Sequence, residues 1–197
     1  MNKVKKYTLI TIIFILLIIP LFFGVFIEYF IVCNLNLEVV LILIIGVLLL
    51  LILSKLIEIC CYNDKNIEIM KNHDVVNAFI NKDNQIIVWL FFPITMIFEE
   101  LVFRYYLIGF LIILLELSPF QVILLSSLSF SLYHLHTWFS VKNLKLRLIN
   151  LIIPFILGLF NGYLFLKLGL IPCIGIHYFI ALFLYYNIYR RYFKKKY

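Results

Sequence analysis

The sequence predicts an all-α protein, a polytopic membrane helix bundle of about six transmembrane helices. Composition is the first reason. Of the 197 residues, 65% are hydrophobic and 14% charged, and mean hydropathy is +1.10, more apolar surface than a soluble domain of this length can bury. Segment length is the second. The apolar stretches are continuous and close to the roughly 20 residues an α-helix needs to cross a bilayer, not the alternating runs of about 10 found in barrels. Third, backbone groups in lipid must be satisfied within each segment, which a helix achieves alone.

The spans follow in order. Lys3, Lys5 and Lys6 precede an apolar stretch, Tyr7–Ile27, too long for a signal-peptide h-region and without a small-x-small cleavage site. Ile31-Val32-Cys33 also lacks the small residue of a lipoprotein cleavage site, so Tyr7–Cys33 is expected to be a retained first span. Leu37–Ile57 is the second. Glu58–Gln85 is a polar loop, with a short surface helix expected around Ile67–Ile80 (apolar at Ile67, Met70, Val75 and Phe79). Ile86–Leu115, Pro119–Phe139, Leu146–Leu166 and Leu170–Arg190 complete the six. Residues 1–85 are thus expected to form two spans and a loop, and residues 86–197 a membrane core with a basic tail.

Lysine and arginine placement sets the orientation. With both termini in the cytoplasm, 15 of the 17 fall on inner segments, Lys167 lies outside and Arg104 lies within a span. An odd number of spans would separate the two basic termini. The net charge of +7 sits between and beyond the apolar runs with no soluble basic domain, which argues against nucleic acid as a partner. The lipid bilayer is the expected surrounding. Cys33, Cys60, Cys61 and Cys173 are scattered, without disulfide or zinc spacing. Tyr185, Tyr186, Tyr189 and Tyr192, near the inner end of the last span, suit interface anchoring. Gly158 and Gly162 form a G-x-x-x-G that lets another helix approach.

Ionisable residues inside apolar runs stand out, because each costs roughly 2.5–3.5 kcal/mol in lipid by insertion scales and therefore faces a protein interior or a wet cavity. Phe98-Glu99-Glu100-Leu101-Val102-Phe103-Arg104 holds three of them. Glu100 and Arg104 are four apart, share a helical face and can pair. Glu99 is rotated by about 100° from that face, escapes the pairing, and is placed to act as general base on water. A Glu-Glu-Arg cluster that only locks helices together is the plainer alternative. In the fourth span His134 shares a face with Phe130, while His136 reads as polar trim and His73 as a solvated loop residue. His177 falls early in the sixth span, after Pro172, which suits a first helical turn.

With these residues in hand, the chain resembles the family of CAAX prenyl proteases and bacteriocin-processing or self-immunity membrane proteins. Its Glu-Glu-x-x-x-Arg motif is matched by Glu99, Glu100 and Arg104. Phe130 and His134 match Phe-x-x-x-His. Gly158, Gly162, Gly169 and His177 match a third region. The resemblance covers about Ile86–Tyr189 and implies an intramembrane endopeptidase in which Glu99 activates water with help from His134, Glu100 and Arg104 hold the site in shape, and His177 stabilises the oxyanion. Such donors are worth roughly 2.7–4 kcal/mol each. The family often has asparagine four residues after the last histidine. Here that position is Ala181, and Asn161 is a candidate substitute.

The expected function is therefore glutamate-dependent cleavage of a peptide or membrane-protein substrate, with bacteriocin processing or self-immunity within the family's range and no cofactor or metal. A non-proteolytic immunity or binding protein of the same fold is the alternative that Ala181 motivates. The sequence has no H-E-x-x-H, and one glutamate pairs with Arg104, which weighs against a zinc peptidase; it also lacks the repeat symmetry many transporters show. One difficulty is depth. At 1.5 Å per residue, His134 lies about 15 residues from the outer end of its span and His177 about 7, so a tilt, a broken helix or a different boundary must bring them level.

Overall fold

A computed structural model describes residues 3–70, 73–80, 85–135 and 143–194, and eight helices and no strand lie among them. They are α1 (Lys3–Phe22), α2 (Leu37–Cys61), α3 (Asp64–Met70), α4 (Asp74–Ile80), α5 (87–113), α6 (Pro119–Tyr133), α7 (Leu144–Leu168) and α8 (Leu170–Lys194). The all-α polytopic bundle is as expected. Of these, Leu37–Cys61, Leu144–Leu168 and Leu170–Arg191 are by length and composition long and apolar enough to cross a membrane, while Tyr7–Phe22 and Pro119–Tyr133 are shorter apolar helices. Large apolar side chains such as Ile12, Leu16, Leu41, Leu48 and Ile52 point outward from α1 and α2, the arrangement that suits lipid contact. Tyr105, Ile108, Val122, Leu164, Phe165 and Cys173 form the centre.

Local sequence explains where the helices start. The Asn36 side chain accepts from Val39 N–H at 2.9 Å at the head of α2, and Asn143 accepts from Lys145 and Leu146 at the head of α7, each satisfying a donor the helix leaves open. At α6, Gln121 Oε1 accepts from Ser118 N–H at 2.9 Å, and Pro119 occupies a position where a missing N–H costs nothing.

Three boundaries differ from those the sequence suggested. The first helix ends at Phe22, followed by a 3₁₀ turn at Ile27–Tyr29 and irregular chain to Asn36. Loop residues are apolar there because they pack inward: Phe26 lies against Gly109, and Tyr105 donates to Val25 O at 2.7 Å. The single surface helix expected at Ile67–Ile80 is instead two helices, α3 and α4. They are not laid on a surface: Ile67 and Met70 join a core with Ile57, Leu146 and Ile188, and Val75 and Ala78 join one with Val88, Phe92 and Met96. His73, between them, stacks on Tyr185 at 5.1 Å instead of standing in solvent, and Tyr185 is thereby drawn into the bundle. Finally, α6 ends at Tyr133 with His134 as its C-cap. His136 lies outside the described residues.

The α7–α8 connection is a single residue, Gly169, at φ +86°. Residues 30–34 lie across it. Val32 N–H donates to Leu168 O and Asn34 N–H to Lys167 O, both at 3.2 Å, while Leu170 N–H donates to Phe30 O at 3.1 Å. The open carbonyls of one helix end and an open amide of the next are thus satisfied by one strip of chain. A Cβ at Gly169 would sit 2.8 Å from Val32 N and 2.9 Å from Phe30 O, so backbone approach as well as φ demands glycine.

Candidate active site

Four helices deliver polar side chains to the middle of the bundle. α5 supplies Glu99, Glu100 and Arg104, α6 supplies Phe130 and His134, α7 supplies Asn161, and α8 supplies Cys173 and His177. The helix α5 is irregular at this point. Its α-helical turns Phe92–Glu100 give way to a π-helical segment, Leu101–Tyr106, a feature often found at functional sites. Glu99, Glu100, Arg104, Asn161 and His177 are all buried.

The two adjacent glutamates have different surroundings. Glu100 is braced on both oxygens, by hydrogen bonds on Oε1 and an ion pair on Oε2. Its Oε1 takes His177 Nδ1 at 2.7 Å and Asn161 Nδ2 at 3.1 Å, and its Oε2 lies 3.3 Å from Arg104 Nε. The Arg104 guanidinium carbon sits 4.3 Å above the Phe130 ring, a cation–π contact in a desolvated place. So Glu100 and Arg104 pair as the four-residue spacing predicts. Glu99 escapes that pairing, also as expected. Its Oε2 makes no hydrogen bond and faces His177 Nε2 at 3.6 Å. His177 is therefore held between two carboxylates, one nitrogen on each.

His134 joins this group through Phe130. The Phe130 ring meets the His134 ring edge-on at 4.9 Å and the His177 ring edge-on at 5.5 Å. His134 Nδ1 lies 2.9 Å from Phe130 O. A carbonyl only accepts, so Nδ1 is the donor and Nε2 is the basic nitrogen of the neutral ring. Tyr133, at 5.4 Å from His134, and Phe103 complete the aromatic wall. Ser126 steadies α6 against α5 by donating to Phe103 O at 2.6 Å.

The structure brings the two histidines to one place despite their different counts along their spans, since both rings meet the Phe130 ring edge-on. At the α7–α8 tip Phe165, Leu168, Leu170 and Cys173 are buried.

Asn161 is the residue the motifs underrate. Both hydrogens of its amide are spent, on Glu100 Oε1 and on Cys173 O, each at 3.1 Å, so it braces Glu100 and is not a spare oxyanion donor. An amide between Gly158 and Gly162 was the available signal. The glycines pack as their spacing suggests: a Cβ at Gly158 would be 3.0 Å from Ser127 Cα, and one at Gly162 would be 3.1 Å from Ile123 Cγ2. Ala181 packs beside the cluster of Phe92 and Met96. Among the described residues no group of three or more His, Cys, Asp or Glu is arranged to hold a metal ion.

Comparison with protein families adds a match over residues 82–183, just over half the chain, to the family described as type II CAAX prenyl endopeptidase Rce1-like. That interval contains Glu99, Glu100, Arg104, Phe130, His134, Asn161 and His177. Comparison with curated proteins and with solved structures returned no match.

Proposed function

The chain belongs to the type II CAAX prenyl endopeptidase Rce1-like family, a family of intramembrane endopeptidases, and on that premise we propose that Glu99 and His134 carry out hydrolysis of a peptide bond within the bundle. One observation carries this reading. Of two buried neighbouring carboxylates, Glu100 is braced by two hydrogen bonds on Oε1 and by the Arg104 ion pair on Oε2, while Glu99 Oε2 makes no hydrogen bond and lies 3.6 Å from an imidazole nitrogen. Structural glue has no need of a second, under-bonded carboxylate.

In the proposed reaction Glu99 takes a proton from water, with His134 Nε2 orienting that water, and the oxygen attacks the scissile carbonyl carbon. His177 stabilises the oxyanion. Its Nδ1–H donates to Glu100, which Arg104 and Asn161 hold in place, so the ring is oriented before substrate arrives, and in this role it is the imidazolium, with Nε2–H as the oxyanion donor. Collapse breaks the C–N bond, and the proton held by Glu99 passes to the leaving amine. Water is consumed, and one acid and one amine are formed.

The substrate is a peptide or a membrane protein presented at the bilayer, with a bacteriocin precursor as the finer assignment. The six-span topology, cytoplasmic termini and cell-membrane location belong to the same reading, supported by the placement of 15 of 17 basic residues. So does the division at residue 85 into an N-terminal pair of spans and a catalytic core. The test is cleavage of a library of membrane-anchored peptides by purified protein. Loss of cleavage in Glu99→Gln and His134→Ala, with the fold retained, supports it. Equal activity in both variants overturns it.

Ala181 and the fully engaged amide of Asn161 favour a second reading, an immunity or binding protein that keeps the fold without turnover. Protection of cells that survives Glu99→Gln selects this reading, and loss of protection rejects it.

A further inference from the structure

Far along the bundle from the glutamates, the C-terminal ends of α2 and α8 enclose a cavity of about 260 Å³ lined by Lys55, Glu58, Asn187, Arg190 and Arg191. Three of the five side chains are cations and one is an anion. The anion is already engaged, because Glu58 is buried and ion-paired with Lys55. Arg191 Nη1 donates to Glu58 O at 2.5 Å, which fixes one wall. Arg190 remains largely exposed, its guanidinium carbon 6.0 Å above the Tyr186 ring.

A basic rim alone is only a surface charge, but the floor of this cavity carries an independent sign of a ligand. Asn187 is 7% exposed, lines the cavity, and its Nδ2 has no hydrogen-bond partner. A buried amide donor left unsatisfied is costly. Next to two arginines, the group that would satisfy it is an acceptor with negative charge. The place in the fold narrows the class further. Both helices are apolar enough to span a bilayer, and the cavity lies within the last two turns of each, at headgroup depth. Basic pockets between membrane helices are suited to acidic headgroups.

We propose that this cavity is a binding site for a phosphate group, supplied by the headgroup of an anionic phospholipid. Arg190 meets the phosphate oxygens from the rim and Asn187 Nδ2 donates from the floor, while Lys55 stays paired with Glu58 in the wall. Arg191 holds the wall through Glu58 O. The site requires only that the chain spans the membrane and is independent of peptidase chemistry.

The experiment uses purified full-length protein in a nonionic detergent. Native mass spectrometry follows binding of phosphatidylglycerol, phosphatidylcholine and inorganic phosphate. Phosphatidylglycerol should bind more tightly than phosphatidylcholine, and Arg190→Gln should weaken it about fivefold, the factor expected of one basic residue at a membrane surface. Asn187→Leu should weaken it too, although it changes no charge. Lys5→Gln, which removes an exposed charge elsewhere, should change nothing. An equal loss in Lys5→Gln, or full binding in Asn187→Leu, means diffuse attraction and overturns the site. Displacement of phosphatidylglycerol by equimolar inorganic phosphate overturns the lipid as source. Because the readout is binding, an inactive peptidase site would leave the result unchanged.

Discussion

Glu99 and Glu100 are adjacent in sequence, equally out of reach of solvent, and opposite in circumstance. On the Glu100 side of α5 the charged groups brace one another: carboxylate with guanidinium, imidazole and amide, guanidinium with an aromatic face. On the Glu99 side Oε2 makes no hydrogen bond and lies 3.6 Å from His177 Nε2. Bracing gives rigidity, and a carboxylate left without it gives chemistry. A carboxylate already holding three partners has to break them before taking a proton, whereas one without them is ready to accept it. The pair therefore divides one function into a frame and a reacting group, and separate substitutions should separate them.

The largest expected effect is at Glu99. Replacing it with Gln keeps shape and removes the base, so cleavage should fall by about 10²–10⁴-fold, the range of general base catalysis. The thermal midpoint in detergent should stay close to that of the wild type, because no hydrogen bond of Oε2 is lost. A large drop in the midpoint would mean that Glu99 belongs to the frame after all.

Next is Arg104→Ala. It leaves Glu100 buried without its cation, and breaking a buried pair from one side costs about 3–5 kcal/mol. Here the loss should appear as unfolding, measured by denaturant or steric trapping in detergent, with inactivity as a consequence. Arg104→Ala that folds normally but does not cleave would assign the arginine to the reaction instead.

How much of this arrangement the sequence discloses depends on whether local spacing decides it. The Glu100–Arg104 pair and the separate direction of Glu99 are legible, since a four-residue offset shares a face and a one-residue offset does not. They hold even though α5 turns π-helical at Leu101. The cover on the α7–α8 tip is not legible. It rests on residues 30–34 bonding to Lys167, Leu168 and Leu170, contacts between segments more than 130 residues apart. Nor is the fate of the 58–85 loop: Ile67, Met70 and Val75 suggest one amphipathic helix, but α3 and α4 are separate, and α4 faces two cores, Val76 joining Ile67 and Met70 while Val75 and Ala78 pack with Val88 and Phe92. Asn161 was visible as an amide in an apolar run, yet only the distances to Glu100 and Cys173 show that both of its hydrogens are used.

The non-local strip offers a third way to disturb the frame. Gly169→Ala places a Cβ against Val32 N, Phe30 O and Tyr29 O at a positive φ. Strained backbone of this kind costs about 1–3 kcal/mol, and relief requires residues 29–32 to move off the tip of α7 and α8. Faster hydrogen exchange at the amides of Val32 and Leu170 should report it. If the strip merely covers the tip, cleavage should survive. If it sets the depth of His177, cleavage should fall more than stability does.

Smallest and sharpest is the difference between two glycines on one turn of α7. At Gly162 an added methyl meets the Ile123 side chain at 3.1 Å, which can rotate aside. At Gly158 it meets Ser127 Cα at 3.0 Å, a backbone atom that cannot move without α6. Alanine in place of glycine gains about 1 kcal/mol of helix propensity at either position, while overpacking costs about 1–3 kcal/mol. Gly162→Ala should therefore be close to neutral in thermal midpoint, and Gly158→Ala destabilising by about 1 kcal/mol. Asn161 lies between them on α7 and braces Glu100. If Glu100 and its partners are a frame, pushing α7 away from α6 at Gly158 should slow cleavage beyond what the lost stability explains, while Gly162→Ala leaves it intact. Identical behaviour of the two variants would mean that the position of Asn161 is irrelevant to turnover, and that the frame reduces to Arg104 and His177.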